Sequence, residues 1–157
     1  MPCWATIHEP SLPSGGPSTI SFDSINCHFV TTEIHSDDEL VCFRDLKPGA
    51  RHHYLVVPRT HVGNCKSLRK EHIPLVEKME EMGRSVLHKK KVTDLDDIRM
   101  GLHMPPFSSV PHLHLHVIAP ASQMSITSLR NYGPQSYWFI TVNVIVSQCN
   151  SRYEIIA

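Results

Sequence analysis

Residues 112–117 read HLHLHV, a strict alternation of histidine with apolar side chains. Side chains two apart on a β-strand face the same way. The run therefore predicts a strand with Leu113, Leu115 and Val117 in the core and His112, His114 and His116 on the other face. Imidazoles removed from water need partners for their ring nitrogens. The apolar face is structural, and the histidine face calls for a chemical explanation.

The remainder of the chain predicts the neighbours of that strand. HFVTTEI, LVCFRD and HHYLVVP read as three strands, with a turn at Pro48-Gly49 before the third and Pro58 ending it. Between His72 and Lys90 the period changes: Ile73, Val76, Met79, Met82 or Gly83, Val86 and Leu87 recur at helical spacing. Pro74 suits the first turn of that helix, and HKKK places cations at its C-terminal end. DIRMGLHM and HLHLHVIA read as two more strands, and SYWFITVNVIV holds a last one. Sequential strands with short links and one long helix predict an α+β fold, an antiparallel sheet of about five strands. Residues 1–24, rich in Pro, Ser and Gly, are expected to be disordered.

Bulk properties exclude several functions. The 157 residues carry 15 Lys+Arg against 15 Asp+Glu, and a neutral chain holds neither nucleic acid nor a membrane surface by charge alone. No apolar run reaches the ~20 residues of a membrane span, and the N-terminus lacks a basic start and an apolar core for secretion. Five scattered cysteines form no paired spacing, as expected of reduced thiols in a cytoplasmic or nuclear protein. Histidine is the residue in excess, with 12.

Three chemistries compete for the triplet. The outer two histidines of such a strand lie about 13 Å apart, too far for one ion with ~2.0–2.1 Å bonds. With no cysteines at zinc spacing either, no metal and no cofactor is expected. A solvated sheet surface would use Lys, Thr or Glu more readily than three imidazoles in register. Nucleophilic catalysis fits better: a neutral imidazole attacks phosphorus and leaves again, provided a partner holds the proton on its other nitrogen.

HLHLHVI also resembles the signature of the histidine triad family, His-φ-His-φ-His-φ-φ with φ apolar. FRDLKP, HHYLVVPRTH and the helix stand upstream as in the Hint branch, so the resemblance spans about residues 36–142. It implies the histidine triad fold in residues 25–142, a homodimer, and hydrolysis of adenosine 5′-monophosphoramidates through a covalent adenylyl-histidine. Adenylated amines, adenylated lysine and acyl-adenylates are the implied substrates. It further implies His114 as nucleophile, with His112 holding the site and itself supported by His53. Asp45 would grip the ribose with Leu46 beside the base, Ser109 would assist the leaving nitrogen, and His116 would bind the phosphate or leaving group. The chain departs from the family in Pro105-Pro106-Phe107, where founding members carry a glycine-rich loop, and in residues 143–157, which lack the expected helical, basic ending. These departures keep a second expectation open, a non-catalytic nucleotide-binding or interaction module. Removal of adenylate from broken DNA ends is a weaker one, because no histidine follows His116 to build a Cys₂His₂ finger.

Overall fold

The computed structural model describes residues 33–108 and 110–151. The segment expected to be disordered, the start of the first strand and Ser109 lie outside the described residues. Among the described residues six strands form one antiparallel sheet, each overlapping one of the six predicted segments, where a sheet of about five was expected. They are β1 (Glu33–Ser36), β2 (Leu40–Arg44), β3 (His52–Pro58), β4 (Arg99–His103), β5 (Leu115–Ala119) and β6 (Phe139–Thr141). Their order across the sheet is β1-β2-β3-β5-β4-β6. The triad strand is thus central, flanked by β3 and β4.

Alternation divides the sheet into two faces. Leu40 and Cys42, Tyr54 and Val56, Leu115 and Val117, and Met100 and Leu102 pack beneath helix α1 (Ile73–Lys89). The helix buries Val76, Met79, Met82, Gly83, Val86 and Leu87 as its periodicity predicts, while Ile73 at its start is half-buried and Pro74 lies in its first turn. The opposite face carries Val41, Phe43, Leu55 and Val57, and there the histidines gather.

Two elements differ from expectation. SYWFITVNVIV is a strand only over Phe139–Thr141; the chain then turns into helix α3 (Val142–Ser151). Val142, Ile145 and Cys149 are buried, a three-to-four spacing that a continuous apolar run conceals. The described part of the tail is therefore helical and part of the core. The other is α2 (Ile126–Tyr132), capped by the Ser125 hydroxyl accepting from Ser128 N–H, in a stretch where the sequence suggests no element. Among the described residues no helix is long and apolar enough to cross a membrane.

Gly101 is what brings β6 against β4 under the histidines. It pairs with His116 on one side and Thr141 on the other. A Cβ there would stand 2.3 Å from the Ile140 carbonyl oxygen and 2.7 Å from the Phe139 ring. Gly101→Ala should therefore force β6 outward and cost about 1–3 kcal/mol, read as a lower urea midpoint with an unchanged slope. An unaltered midpoint would mean that β6 yields freely.

Candidate active site

β5 begins only at Leu115, so His112 and His114 precede it and the three histidines do not share one flat face. The reason is β3. Pro58 closes that strand, and the β3–β5 register runs out at Val56↔Leu115. Upstream, the Leu113 amide instead donates to the Val62 carbonyl at 2.6 Å. The apolar set still enters the core as expected.

The three rings have different surroundings. His114 Nδ1 lies 2.7 Å from the His112 carbonyl oxygen. A carbonyl only accepts, so the ring proton is on Nδ1 and the lone pair on Nε2. His112 Nε2 donates to the Pro58 carbonyl at 2.8 Å, and its Nδ1 faces His61 Nδ1 at 3.1 Å. The upstream partner of His112 is thus His61. His53 reaches His116 instead, Nε2 to Nδ1 at 2.9 Å. Antiparallel pairing sets this exchange: His53 lies two residues from Leu55, the register partner of His116, while His112 lies past the end of the ladder.

His116 is engaged at both nitrogens, since its Nε2 is 3.1 Å from His103 Nδ1. A contact from His116 to a phosphate would require breaking one of these bonds. Asp45 follows β2; one of its oxygens accepts from the Lys47 amide at 2.7 Å, and the other is 3.3 Å from His53 Nε2. It is a turn cap and a site residue at once.

Burial governs the charges here. Desolvation, and secondarily the field of His103, pushes His53 down to about 3. His116 falls well below the usual imidazole range, chiefly through desolvation. Desolvation also lowers His103, His112 and His114 and raises the Asp45 carboxyl. The imidazoles are neutral, so the 3.3 Å approach of His53 Nε2 to the Asp45 carboxyl is not an ion pair; the His53 Nε2 bond goes to His116.

Asp45, His53 and His116 also converge closely enough to suggest a metal site. The bond at the far side of His53 opposes that reading. The Gly49 N–H donates to His53 Nδ1 at 2.8 Å, which leaves the ring proton on Nε2, where an ion would need the lone pair.

His114, His116, Asp45 and Leu46 line one open cleft of about 620 Å³, within the ~300–1,000 Å³ of small-molecule sites. His53 and His112 stand behind its wall. Among the lining residues that sequence reasoning did not assign to the site, His103 and Tyr132 stand against the histidines. His103 was within reach, since it falls in the predicted strand DIRMGLHM on the same face as Gly101. Tyr132 packs its ring on His53, His103 and His116 at centroid distances of 4.9, 5.1 and 5.1 Å, from a helix the sequence did not announce.

Residues 21–131 match the family described as "Scavenger mRNA decapping enzyme C-term binding". An "Adenosine 5'-monophosphoramidase HINT3" of Xenopus tropicalis is 56% identical over 115 residues, covering 73% of this chain and 75% of the relative. The protein of that name in Mus musculus is 43% identical over 155 residues, covering 90% and 93%. Among solved structures, a histidine triad protein from Clostridium difficile aligns with a TM-score of 0.54 at 25% identity, over 63% of this chain and 91% of that one.

Proposed function

This chain belongs to the histidine triad family, in its group of adenosine 5′-monophosphoramidases, and from that membership we propose the following reaction. It is a hydrolase that cleaves the P–N bond of a nucleotide phosphoramidate. The observation that carries the reading is the 2.7 Å bond from His114 Nδ1 to the His112 carbonyl, inside the cleft that Asp45 lines. That bond presents the Nε2 lone pair for attack on phosphorus.

Attack forms an Nε2–P bond, and the amine departs with the electrons of its own P–N bond and takes up a proton from solvent, which the attacking water of the second step returns. Water then cleaves the adenylyl-histidine, yielding adenosine monophosphate and restoring the imidazole. One water is consumed per turnover. Asp45 takes the ribose hydroxyls, with Leu46 against the base. His112 orients His114 through its carbonyl, and the buried His53–His116 pair holds the wall behind Asp45. Ser109 is assigned to the leaving nitrogen.

A non-catalytic nucleotide-binding module is not favoured, because a module has no need of a tautomer-fixed imidazole in its cleft. The partner in this reading is a small purine nucleotide phosphoramidate, with no nucleic acid or membrane. The reading includes a homodimer, tested by sedimentation equilibrium, and residence in cytoplasm and nucleus, tested by fractionation.

The deciding experiment is turnover of a fluorogenic adenosine 5′-phosphoramidate by the purified chain with and without EDTA. Hydrolysis at equal rates in both is expected. Absence of turnover would overthrow the enzyme reading, and loss in EDTA restored by zinc would move the chemistry to a metal.

A further inference from the structure

His53 on β3, His116 on β5 and His103 on β4 form an unbroken line of imidazoles across the sheet, joined at 2.9 and 3.1 Å. The two ends of the line fix its direction. At one end the Gly49 amide donates to His53 Nδ1 at 2.8 Å, so the His53 proton is on Nε2. At the other, His103 Nε2 lies 3.1 Å from the Asn131 carbonyl oxygen, so His103 carries its proton on Nε2 and accepts at Nδ1. A single arrangement satisfies all three rings: His53 donates to His116 and His116 donates to His103. His103 has no nitrogen left over for a substrate. What it supplies is an acceptor.

We propose that His103 is a positioning residue for the phosphoramidase reaction, accepting from His116 Nε2–H and so holding the His53–His116 pair in one tautomeric order. The proposal rests on the function argued above. If His116 reversed, its Nδ1–H would meet the Nε2–H of His53, donor against donor. His53 could escape only by placing a proton on Nδ1, against the Gly49 amide. A buried polar group left unsatisfied in this way costs about 1–3 kcal/mol, and linked rings transmit the fault to one another. Both working groups of the cleft lean on this pair. The His116 ring stands edge-on to His114 at a centroid distance of 5.1 Å, and His53 Nε2 is 3.3 Å from the Asp45 carboxylate. The acceptor at the end of the line, the Asn131 carbonyl, comes from α2, and Arg99 fastens that helix by donating to the Tyr132 and Gly133 carbonyls.

The test compares His103→Phe, which fills the space without an acceptor, with His103→Asn, whose side-chain oxygen stands near the place of Nδ1. H103F should lower kcat on the order of ten- to a hundredfold, as small misplacements of reacting groups do, with KM little changed. H103N should recover most of the loss. Imidazole ¹⁵N spectra should put the His116 proton on Nε2 in the wild type and H103N, and on both nitrogens or on Nδ1 in H103F. If H103F does not fold, H103Q, whose longer amide misplaces the oxygen, takes its part. Wild-type kcat in H103F would overturn the proposal, as would equal losses in H103F and H103N with the His116 tautomer unmoved. The spectra need no turnover, so a wild type that fails to hydrolyse the substrate sinks the functional reading and leaves this one still decided.

Discussion

His114→Ala should abolish turnover, lowering kcat by on the order of 10³ or more, while substrate binding stays within a few-fold of wild type. The two effects separate because the lost interaction is a bond made along the reaction path rather than one that holds the ground state. Asp45 and Leu46, assigned to ribose and base, remain in the cleft of the variant. Acid-quenched wild type should carry one adenylate on the peptide containing HLHLHV, and H114A none. His112→Ala should cost less than His114→Ala, because the orienting group is the His112 backbone carbonyl, which alanine retains. Binding is read by equilibrium titration with a non-hydrolysable analogue and folding by circular dichroism. An adduct on another peptide, or normal turnover in a folded H114A chain, would remove His114 from its role.

Where turn-bounded apolar runs or a helical period stood out, the sequence was legible. LVCFRD and HHYLVVP lie where they were predicted because short apolar, β-branched runs bounded by turn residues suit strands buried on both faces, and α1 because its single apolar stripe must face the sheet. The C-terminal VNVIV was not legible: a short apolar run fits a buried strand or a helix equally, and packing against α1 and β4 decided for the helix. The same limit applies to α2, seven residues whose only local signal is the Ser125 cap. Within the site, residue types in HLHLHV indicated the chemistry, but spacing could not distribute the partners. That His53 serves His116 while His61 serves His112 depends on where the β3–β5 ladder stops. No local pattern carries that information.

Acid should unfold this protein from the active site outward. His53, His103, His112, His114 and His116 are each held below the ordinary imidazole range, first of all by desolvation. A histidine lowered in the folded state binds its proton more readily when unfolded, whose reference value is ~6.5. Its share of stability is therefore complete above that pH and is lost as pH falls toward the folded value, about 3 for His53. Each such group removes about 1.4 kcal/mol per pH unit inside its window. His53 and His116, the deepest two, contribute nearly that full slope, and the three nearer the cleft contribute less. Asp45 works the other way: burial raises its carboxyl, which costs stability at neutral pH and is relieved as pH falls through that raised value. One group does not offset five. Against a total of about 5–15 kcal/mol for a domain, two units of acid below pH 6.5 should remove much of the stability. The urea midpoint should be flat from pH 8 to 7 and fall steeply below 6.5. Over the first part of that fall, while the chain is still folded, kcat/KM should hold, because the lowered value of His114 keeps its lone pair where an exposed imidazole would be half protonated. A midpoint unchanged between pH 7.5 and 5, or a kcat/KM already halved at pH 6.5 in folded protein, would show that these rings are solvated and that the buried histidine line does not persist in solution.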